Sequence, residues 1–308
     1  MAHQIFPSAP RFRPYRWAAP EFQVGLQPII ERDWLILDDD YAQFMRAKRL
    51  HLTACKARCY QTLPGSLAAQ RELQSMVVSY LLEHHPSQFT VVGDNLSCSI
   101  DGHSLKLGED TTDPLWQLSG LVQEDFMLLQ DVDGRQQITA ASNAYSSSGR
   151  LVASVGHDVR WAHENVPDLT KQHGARIDRI LSTMHEDFLC ARFNWLLTPL
   201  TTIFFPEDPH IANGAALRSV SAQLSRDPSL AGSLLHMRVE RQTLRRLPKT
   251  GAVAFSIHTY TDPLSTLVQD DADIEALIKL LKTYSPARLQ YSEMDVIRDA
   301  VIAWLESL

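Results

Sequence analysis

Two segments of the sequence combine residue types that could support catalysis or ligand binding. The first runs from Arg160 to Pro167 and places His163 between an aromatic residue and a Val-Pro pair, ahead of a predicted helix. A histidine held at such a turn can project its imidazole into a pocket, and neutral imidazole is the commonest metal ligand among protein side chains. A structural histidine explains the same pattern, so the segment alone leaves both interpretations open.

The second segment lies in a predicted strand over residues 234–244. Because successive side chains of a strand point to opposite faces, His236, Arg238 and Glu240 are predicted to share one face, opposite an apolar one. Burying such a face is costly unless its charges pair with each other or bind a ligand. A solvent-facing strand with cross-strand ion pairs accounts for the spacing equally well.

The composition excludes several classes of protein. The 308 residues include 44% apolar and 21% charged residues, which argues against disorder. Thirty-six acidic residues against 29 basic ones argue against a strongly basic nucleic-acid binder. The N-terminus lacks the apolar core of a signal peptide, and no apolar run reaches the roughly 18 residues of a membrane helix. These features predict a soluble, reduced, cytoplasmic protein.

Histidines outnumber cysteines by twelve to four. The cysteines are too few and too scattered for a disulfide scaffold, and the pair Cys55 and Cys59 is predicted to be two buried thiols on one helix. The nucleophile elbow, the P-loop, the dinucleotide-binding glycine motif and the H-E-x-x-H zinc motif are all missing from the sequence. A redox reaction in this chain would therefore need a partner to supply electrons.

The predicted elements give an α+β fold with an antiparallel sheet. Residues 1–33 form a Pro-rich arm, and residues 34–308 are predicted to be a single domain with helices at both ends. Helices are predicted at 66–83, 169–188, 274–284 and 292–308; strands at 89–92, 96–100, 125–132, 136–142, 190–197, 234–244 and 252–260; and a long polar connection at 206–233.

Polar and charged residues along nearly the whole chain match one known family. The most specific part runs from Arg238 to Pro248 (Arg-Val-Glu-Arg-Gln-Thr-Leu-Arg-Arg-Leu-Pro) and continues to Gly251-Ala252-Val253. Read with the other matching segments, the chain resembles the α subunit of haem-dependent oxidative N-demethylase. Those segments are Pro14-Tyr15-Arg16, Gly25-Leu26-Gln27-Pro28, Trp34 with Asp38-Asp39-Asp40-Tyr41, Leu63-Pro64-Gly65-Ser66, Ala69-Gln70-Arg71-Glu72-Leu73, Leu121-Val122-Gln123-Glu124-Asp125-Phe126, Ala140-Ala141-Ser142, His163 with Val166-Pro167, and Arg192-Phe193-Asn194-Trp195.

The resemblance implies a PAS-like antiparallel sheet that holds one haem b in its concave face. By this analogy His163 is the axial iron ligand. Arg238, Glu240 and Arg241 match the family's Arg-x-Glu-Arg segment and are the expected catalytic residues, with Arg238 the first choice for the oxygen-binding side. Arg192 on the preceding strand is the rival for that position. Glu240 would offset the buried cation and offer a carboxylate to an ammonium substrate.

The implied reaction is oxidative demethylation of a small secondary amine, with dimethylamine giving methylamine and formaldehyde. The resemblance also implies partner subunits that carry FMN, a [2Fe–2S] cluster and tetrahydrofolate, with NADPH as the source of electrons. A haem-PAS gas or redox sensor without turnover is the main alternative, although the sequence has no appended signalling segment. A haemless structural subunit is the third possibility.

One region departs from the family pattern. Between Ser142 and His163 the family has a Phe-Pro-Ser stretch, a following Trp and a Lys-Leu-Gly, whereas this chain has Tyr145-Ser146-Ser147-Ser148-Gly149-Arg150 and then Val155-Gly156. Because this segment leads into the expected ligand, the departure at 143–156 would alter the shape of the pocket. A different amine or a loss of activity would follow from such a change.

Overall fold

The computed structural model describes residues 11–18, 24–108, 112–144, 152–162, 173–202 and 209–308. They form an α+β structure, as predicted. The helices are α1 (Tyr41–Ala54), α2 (Lys56–Cys59), α3 (Leu67–His84), α4 (Pro114–Ser119), α5 (Val159–Ala162), α6 (Gly174–Thr183), α7 (Pro209–Arg226), α8 (Ala231–Leu234), α9 (Leu264–Leu267), α10 (Asp271–Thr283), α11 (Pro286–Tyr291) and α12 (Arg298–Leu305).

The strands belong to two antiparallel sheets. They are β1 (Gln27–Pro28), β2 (Tyr60–Thr62), β3 (Phe89–Val92), β4 (Asn95–Cys98), β5 (Ser104–Lys106), β6 (Asp125–Val132), β7 (Arg135–Ser142), β8 (Cys190–Thr198), β9 (His236–Arg246) and β10 (Val253–Pro263). The main sheet has seven strands in the order β1-β8-β9-β10-β6-β7-β2, and the small sheet has the order β3-β4-β5. Strand β9 therefore lies between two long neighbours, β8 and β10.

The hairpin from β6 to β7 turns where the sequence predicted it. Asp133 and Gly134 both have positive φ, 53° and 78°. Two consecutive left-handed residues match the twist of antiparallel strands, and Asp-Gly is a favoured pair for this turn. In the small sheet, the Asp101-Gly102 turn likewise separates β4 from β5, whereas the preceding strand pair turns at Gly93.

Helices cover both faces of the main sheet. One face packs against α1, α3 and α4 at one end, and against the C-terminal helices α7 to α12 at the other. On the opposite face, a smaller apolar cluster lies against β6 and β7. It also includes Leu181, Met184, Val152 and Val155. No helix in the described ranges is long and apolar enough to cross a membrane.

Two predictions for the C-terminal half were wrong. The polar connection predicted at 206–233 contains α7 and most of α8, and the single helix predicted at 292–308 is a turn followed by α12. Helix α7 was missed because Gly214 and its serines are typical of loops, although Leu217 and Leu224 follow a helical spacing and are both buried. Gly214 lies next to the carboxylate of Glu293, which would have to shift if this position carried a Cβ. Of the helix predicted at 169–188, residues 173–188 are described; α6 ends at Thr183, so the last five residues of the prediction are not helical.

The arm is fastened to the body at Asp273 of α10. The fully buried Asp273 carboxylate accepts hydrogen bonds from the Tyr15 hydroxyl (2.9 Å) and from Nε of Arg16 (2.5 Å), and it pairs with Arg13 (3.0 Å). Burial alone would raise the pKa of Asp273, but the hydrogen bonds from Arg16 and Tyr15 outweigh it and hold that pKa below its ordinary value. Tyr15, Arg16 and Arg13 thus anchor residues 11–18 to α10.

Replacing Asp273 tests this anchor through its pH dependence. A carboxyl whose pKa is lower in the folded state stabilises the protein above its unfolded pKa of about 3.9, and that contribution is lost as the pH falls through the folded value. We expect Asp273→Asn to cost about 2 kcal/mol at pH 7, because charged hydrogen bonds are lost. Thermal unfolding should show this difference shrinking below pH 4. An equal loss at pH 7 and pH 3 would contradict the assignment.

Candidate functional site

The register of the three adjacent strands β8, β9 and β10 brings polar side chains together on one face of the main sheet. Glu240 pairs with Asn194 on one side and with Thr259 on the other, and Arg238 is flanked by Leu196 and Thr261. Directly paired residues of antiparallel strands share a face, with Cβ atoms about 4.5–5.5 Å apart. We call this surface the polar face; its polar members are Arg192, Asn194, His236, Arg238, Glu240, Gln242, Thr259 and Thr261.

The alternation predicted for this segment is confirmed. Met237 and Val239 point into the apolar core of the opposite face, while the polar face carries His236, Arg238 and Glu240. Despite their polarity, Arg238 and Glu240 are only 4% and 6% exposed. The interpretation as a solvent-facing strand is therefore wrong, and the charges lie where they must pair or bind a ligand.

The Glu240 carboxylate is fixed by two amide groups. The side-chain nitrogen of Gln242 donates to Oε2 at 2.9 Å, and that of Asn194 reaches the same oxygen at 3.4 Å. Asn194 is exposed and Arg192 is half-buried, so the face is accessible from the β8 side. Burial lowers the pKa of the Arg192 guanidinium, and the charge of Glu240 counteracts this effect. An arginine stays protonated nonetheless, so the face holds cations beside a carboxylate.

Three other buried atoms of the polar face have unused hydrogen-bonding capacity. Within the described ranges, no hydrogen-bond partner reaches Oε1 of Gln242 or the hydroxyls of Thr259 and Thr261. Leaving a buried polar group unsatisfied costs about 1–3 kcal/mol, so native proteins rarely keep several together without water or a ligand. Their concentration beside Glu240 and Arg238 makes this face the candidate site for a polar ligand.

The structure separates Arg241 from the other predicted catalytic residues. Its side chain lies on the opposite face, where it donates to the carbonyl oxygen of Trp34 at 3.1 Å and to that of Asp33. Arg238 and Arg241 are three residues apart along a strand, and an odd separation places side chains on opposite faces. Arg241 therefore holds the turn at 31–34 against the sheet and does not contact the polar face.

The expected iron ligand, His163, lies outside the described residues, as do positions 145–151 of the region that departs from the family pattern. The flanking residues are described. In α5 the indole of Trp161 stacks on the His157 imidazole, with ring centroids 4.1 Å apart and planes 11° apart. The ligand assignment of His163 therefore stays a prediction from the resemblance.

A second polar cluster, on the opposite face of the main sheet, was not expected from the sequence. The fully buried His258 of β10 lies 3.0 Å from Oδ2 of Asp38 and 3.3 Å from Oε1 of Glu124. Burial would raise the pKa of Glu124, but the hydrogen bond and charge of His258 hold it below the ordinary value. The sequence does not indicate that Asp38 meets a histidine; this contact depends on the fold.

This second cluster is part of the packing. Ile36 donates its backbone N–H to the Glu124 carboxylate at 2.9 Å, and the Asp38 backbone N–H donates to the Gln123 side chain at 2.9 Å. Nearby, the buried Lys48 ammonium lies 3.0 Å from the Asp125 carboxylate and also donates to three backbone carbonyls. These contacts connect the chain before α1 to the start of β6. The polar face therefore remains the better candidate for ligand chemistry.

Comparison with protein families agrees with the resemblance found in the sequence. A family model described as "Haem-dependent oxidative N-demethylase, alpha subunit-like" matches residues 25–302. The match covers the main sheet, the polar face and all the helices from α1 to α11, together with most of α12. The chain belongs to the haem-dependent oxidative N-demethylase, alpha subunit-like family.

Proposed function

We propose that this chain is the haem-containing subunit of an oxidative N-demethylase acting on a small secondary amine. With dimethylamine, one O2, two electrons and two protons would be consumed, and methylamine, formaldehyde and water would be formed. The observation that carries the proposal is the buried carboxylate of Glu240 beside the buried guanidinium of Arg238, on a face with unsatisfied polar atoms. Family membership makes haem the expected cofactor.

The residues of the polar face fit haem in their chemistry. Guanidinium groups bind carboxylates well, so Arg192 suits a propionate of haem, while Arg238 is kept for the oxygen-binding side. Leu196 and Ile257 share the same face and offer apolar contact to a porphyrin ring. The unsatisfied hydroxyl groups of Thr259 and Thr261 also indicate that this face receives a group from outside the described chain. His163 is the proposed axial ligand, and haem b the proposed form.

Bound haem would supply the redox chemistry with oxygen, and the protein would bind and orient the amine. Glu240 is placed to hold the ammonium form of the substrate and to accept one of its protons, because its carboxylate is fixed by Gln242 and Asn194. Arg238 supplies a permanent positive charge that stabilises negative charge developing next to it. Burial of both groups strengthens these interactions.

The sheet supports a PAS-like arrangement for the haem domain. Its five long strands lie side by side in the order β8-β9-β10-β6-β7. Strand β6, the first of the five in the chain, is therefore hydrogen-bonded to β10, the last. We further propose cytoplasmic partners: a reductase subunit with FMN and a [2Fe–2S] cluster, fed by NADPH, and a tetrahydrofolate-binding subunit. The support for an external electron source is that the sequence has no nucleotide-binding motif.

Formaldehyde release distinguishes this proposal from a haem-based sensor. The purified full chain, loaded with haem and supplied with a chemical or enzymatic electron donor, should release formaldehyde from dimethylamine only when oxygen is present. A haem spectrum that responds to oxygen, without formaldehyde from any small secondary amine, would favour the sensor. Absence of a Soret band after haem reconstitution would contradict both functions.

A further inference from the structure

The neighbour of Glu240 on β10 carries an unsatisfied oxygen. Thr259 is paired directly with Glu240, is 3% exposed, and its hydroxyl has no hydrogen-bond partner among the described residues. Gln242, the next residue of β9 on the same face, is paired with Ile257, which has no polar group. Thr259 is therefore the polar side chain of β10 that lies directly beside the carboxylate.

The geometry of a strand pair lets these two side chains serve one nitrogen atom. Their Cβ atoms lie about 4.5–5.5 Å apart and point away from the sheet in the same direction. An atom that bridges them can lie at the usual distance of about 2.9 Å from a carboxylate oxygen of Glu240 and from the hydroxyl of Thr259. Both donors to Glu240, from Gln242 and Asn194, use Oε2, and no donor among the described residues bonds to Oε1.

We propose that Thr259 determines specificity for secondary ammonium ions at this site. The inference rests on the proposed function and goes beyond it by assigning the two N–H groups of the substrate. Glu240 accepts one N–H of a dialkylammonium ion, and the Thr259 hydroxyl accepts the other. A trialkylammonium ion has one N–H and leaves the hydroxyl unsatisfied, and a tetraalkylammonium ion leaves both oxygens unsatisfied. The site would discriminate among these ions because a ligand that leaves a buried polar group without a hydrogen bond binds more weakly.

Gln242 has a positioning role in this scheme. Its amide nitrogen holds Oε2 of Glu240 at 2.9 Å, which leaves the other carboxylate oxygen to the ligand. Thr283 provides a control for Thr259. It lies exposed on α10, which packs on the opposite face of the main sheet.

Calorimetric titration of the haem-loaded full chain with dimethylammonium, trimethylammonium and tetramethylammonium chloride tests the proposal. The unmodified chain should bind them in that order of decreasing affinity. Thr259→Val removes the hydroxyl at nearly constant volume and should lower the preference for dimethylammonium over trimethylammonium about tenfold, the value of one hydrogen bond to a charged group. Thr259→Ser should retain the preference, as should Thr283→Val.

The haem spectrum and the thermal midpoint of each variant report whether it is folded. A preference that is the same in Thr259→Val and the unmodified chain would overturn the proposal, as would equal binding of all three ions by the unmodified chain. Either result combined with normal formaldehyde release would leave the demethylase function standing. Absence of both amine binding and formaldehyde release would instead contradict the proposed function itself.

Discussion

Replacement of His163 with alanine should yield a folded chain that retains no haem. The resemblance assigns His163 as the axial ligand, and an alanine side chain has no atom that can bind iron. We expect the Soret band to disappear after reconstitution with haem and gel filtration, while the far-UV circular dichroism stays that of the unmodified chain. The matched control is His185→Ala, because His185 is highly exposed and lies outside the polar face; it should bind haem normally.

An unchanged Soret band in His163→Ala would contradict the ligand assignment. His236 would then be the next residue to test, because it is the histidine that the described structure places on the polar face. Burial lowers the pKa of the His236 imidazole and so favours its neutral form, which is the form that binds metals. If only the His236 variant failed to bind haem, the haem would still be assigned to the polar face. Its axial ligand would then be His236 instead of His163.

Replacement of Glu240 with glutamine should nearly abolish amine turnover while haem binding persists. Glutamine preserves the size of the side chain but removes the negative charge that holds an ammonium ion. We expect kcat/KM for formaldehyde release from dimethylamine to fall by at least about 100-fold, in line with the loss of a buried charged hydrogen bond or a general base. Steady-state formaldehyde assays across the substrate range measure this change.

Glu275→Gln provides the control for Glu240→Gln. Glu275 lies exposed on α10, so the same chemical change there should leave kcat/KM within twofold. Loss of the Soret band in Glu240→Gln would show a role for Glu240 in holding haem. Unchanged turnover with intact haem would show that the ammonium ion binds elsewhere on the molecule.

Much of the local structure could be predicted from the sequence because it depends on near neighbours. Alternation of apolar and polar residues identified the two faces of β9, and Asp133-Gly134 identified a turn that needs two left-handed residues. Helix α7 was missed because Gly214 and several serines are typical of loops. Gly214 contacts Glu293, a residue distant in the chain, and a contact of this kind cannot be seen in the local sequence.

The site was only partly predictable for a related reason. The alternation of β9 indicated Arg238 and Glu240, the resemblance added Arg192, and the structure brings all three to one face. The roles of Asn194, Gln242 and Thr259 depend on the register of three strands, which the sequence does not specify. Arg241 was grouped with Arg238 and Glu240 because the three are close in sequence. In a strand, however, residues three apart such as Arg238 and Arg241 point to opposite faces.

An experimental structure of the haem-loaded chain with dimethylammonium bound tests the central claim most directly. That claim is that haem and amine share the polar face. We predict haem density against β8, β9 and β10, with the ammonium nitrogen about 3 Å from a carboxylate oxygen of Glu240. Haem on the opposite face, beside His258, or an amine bound away from Glu240 would contradict it.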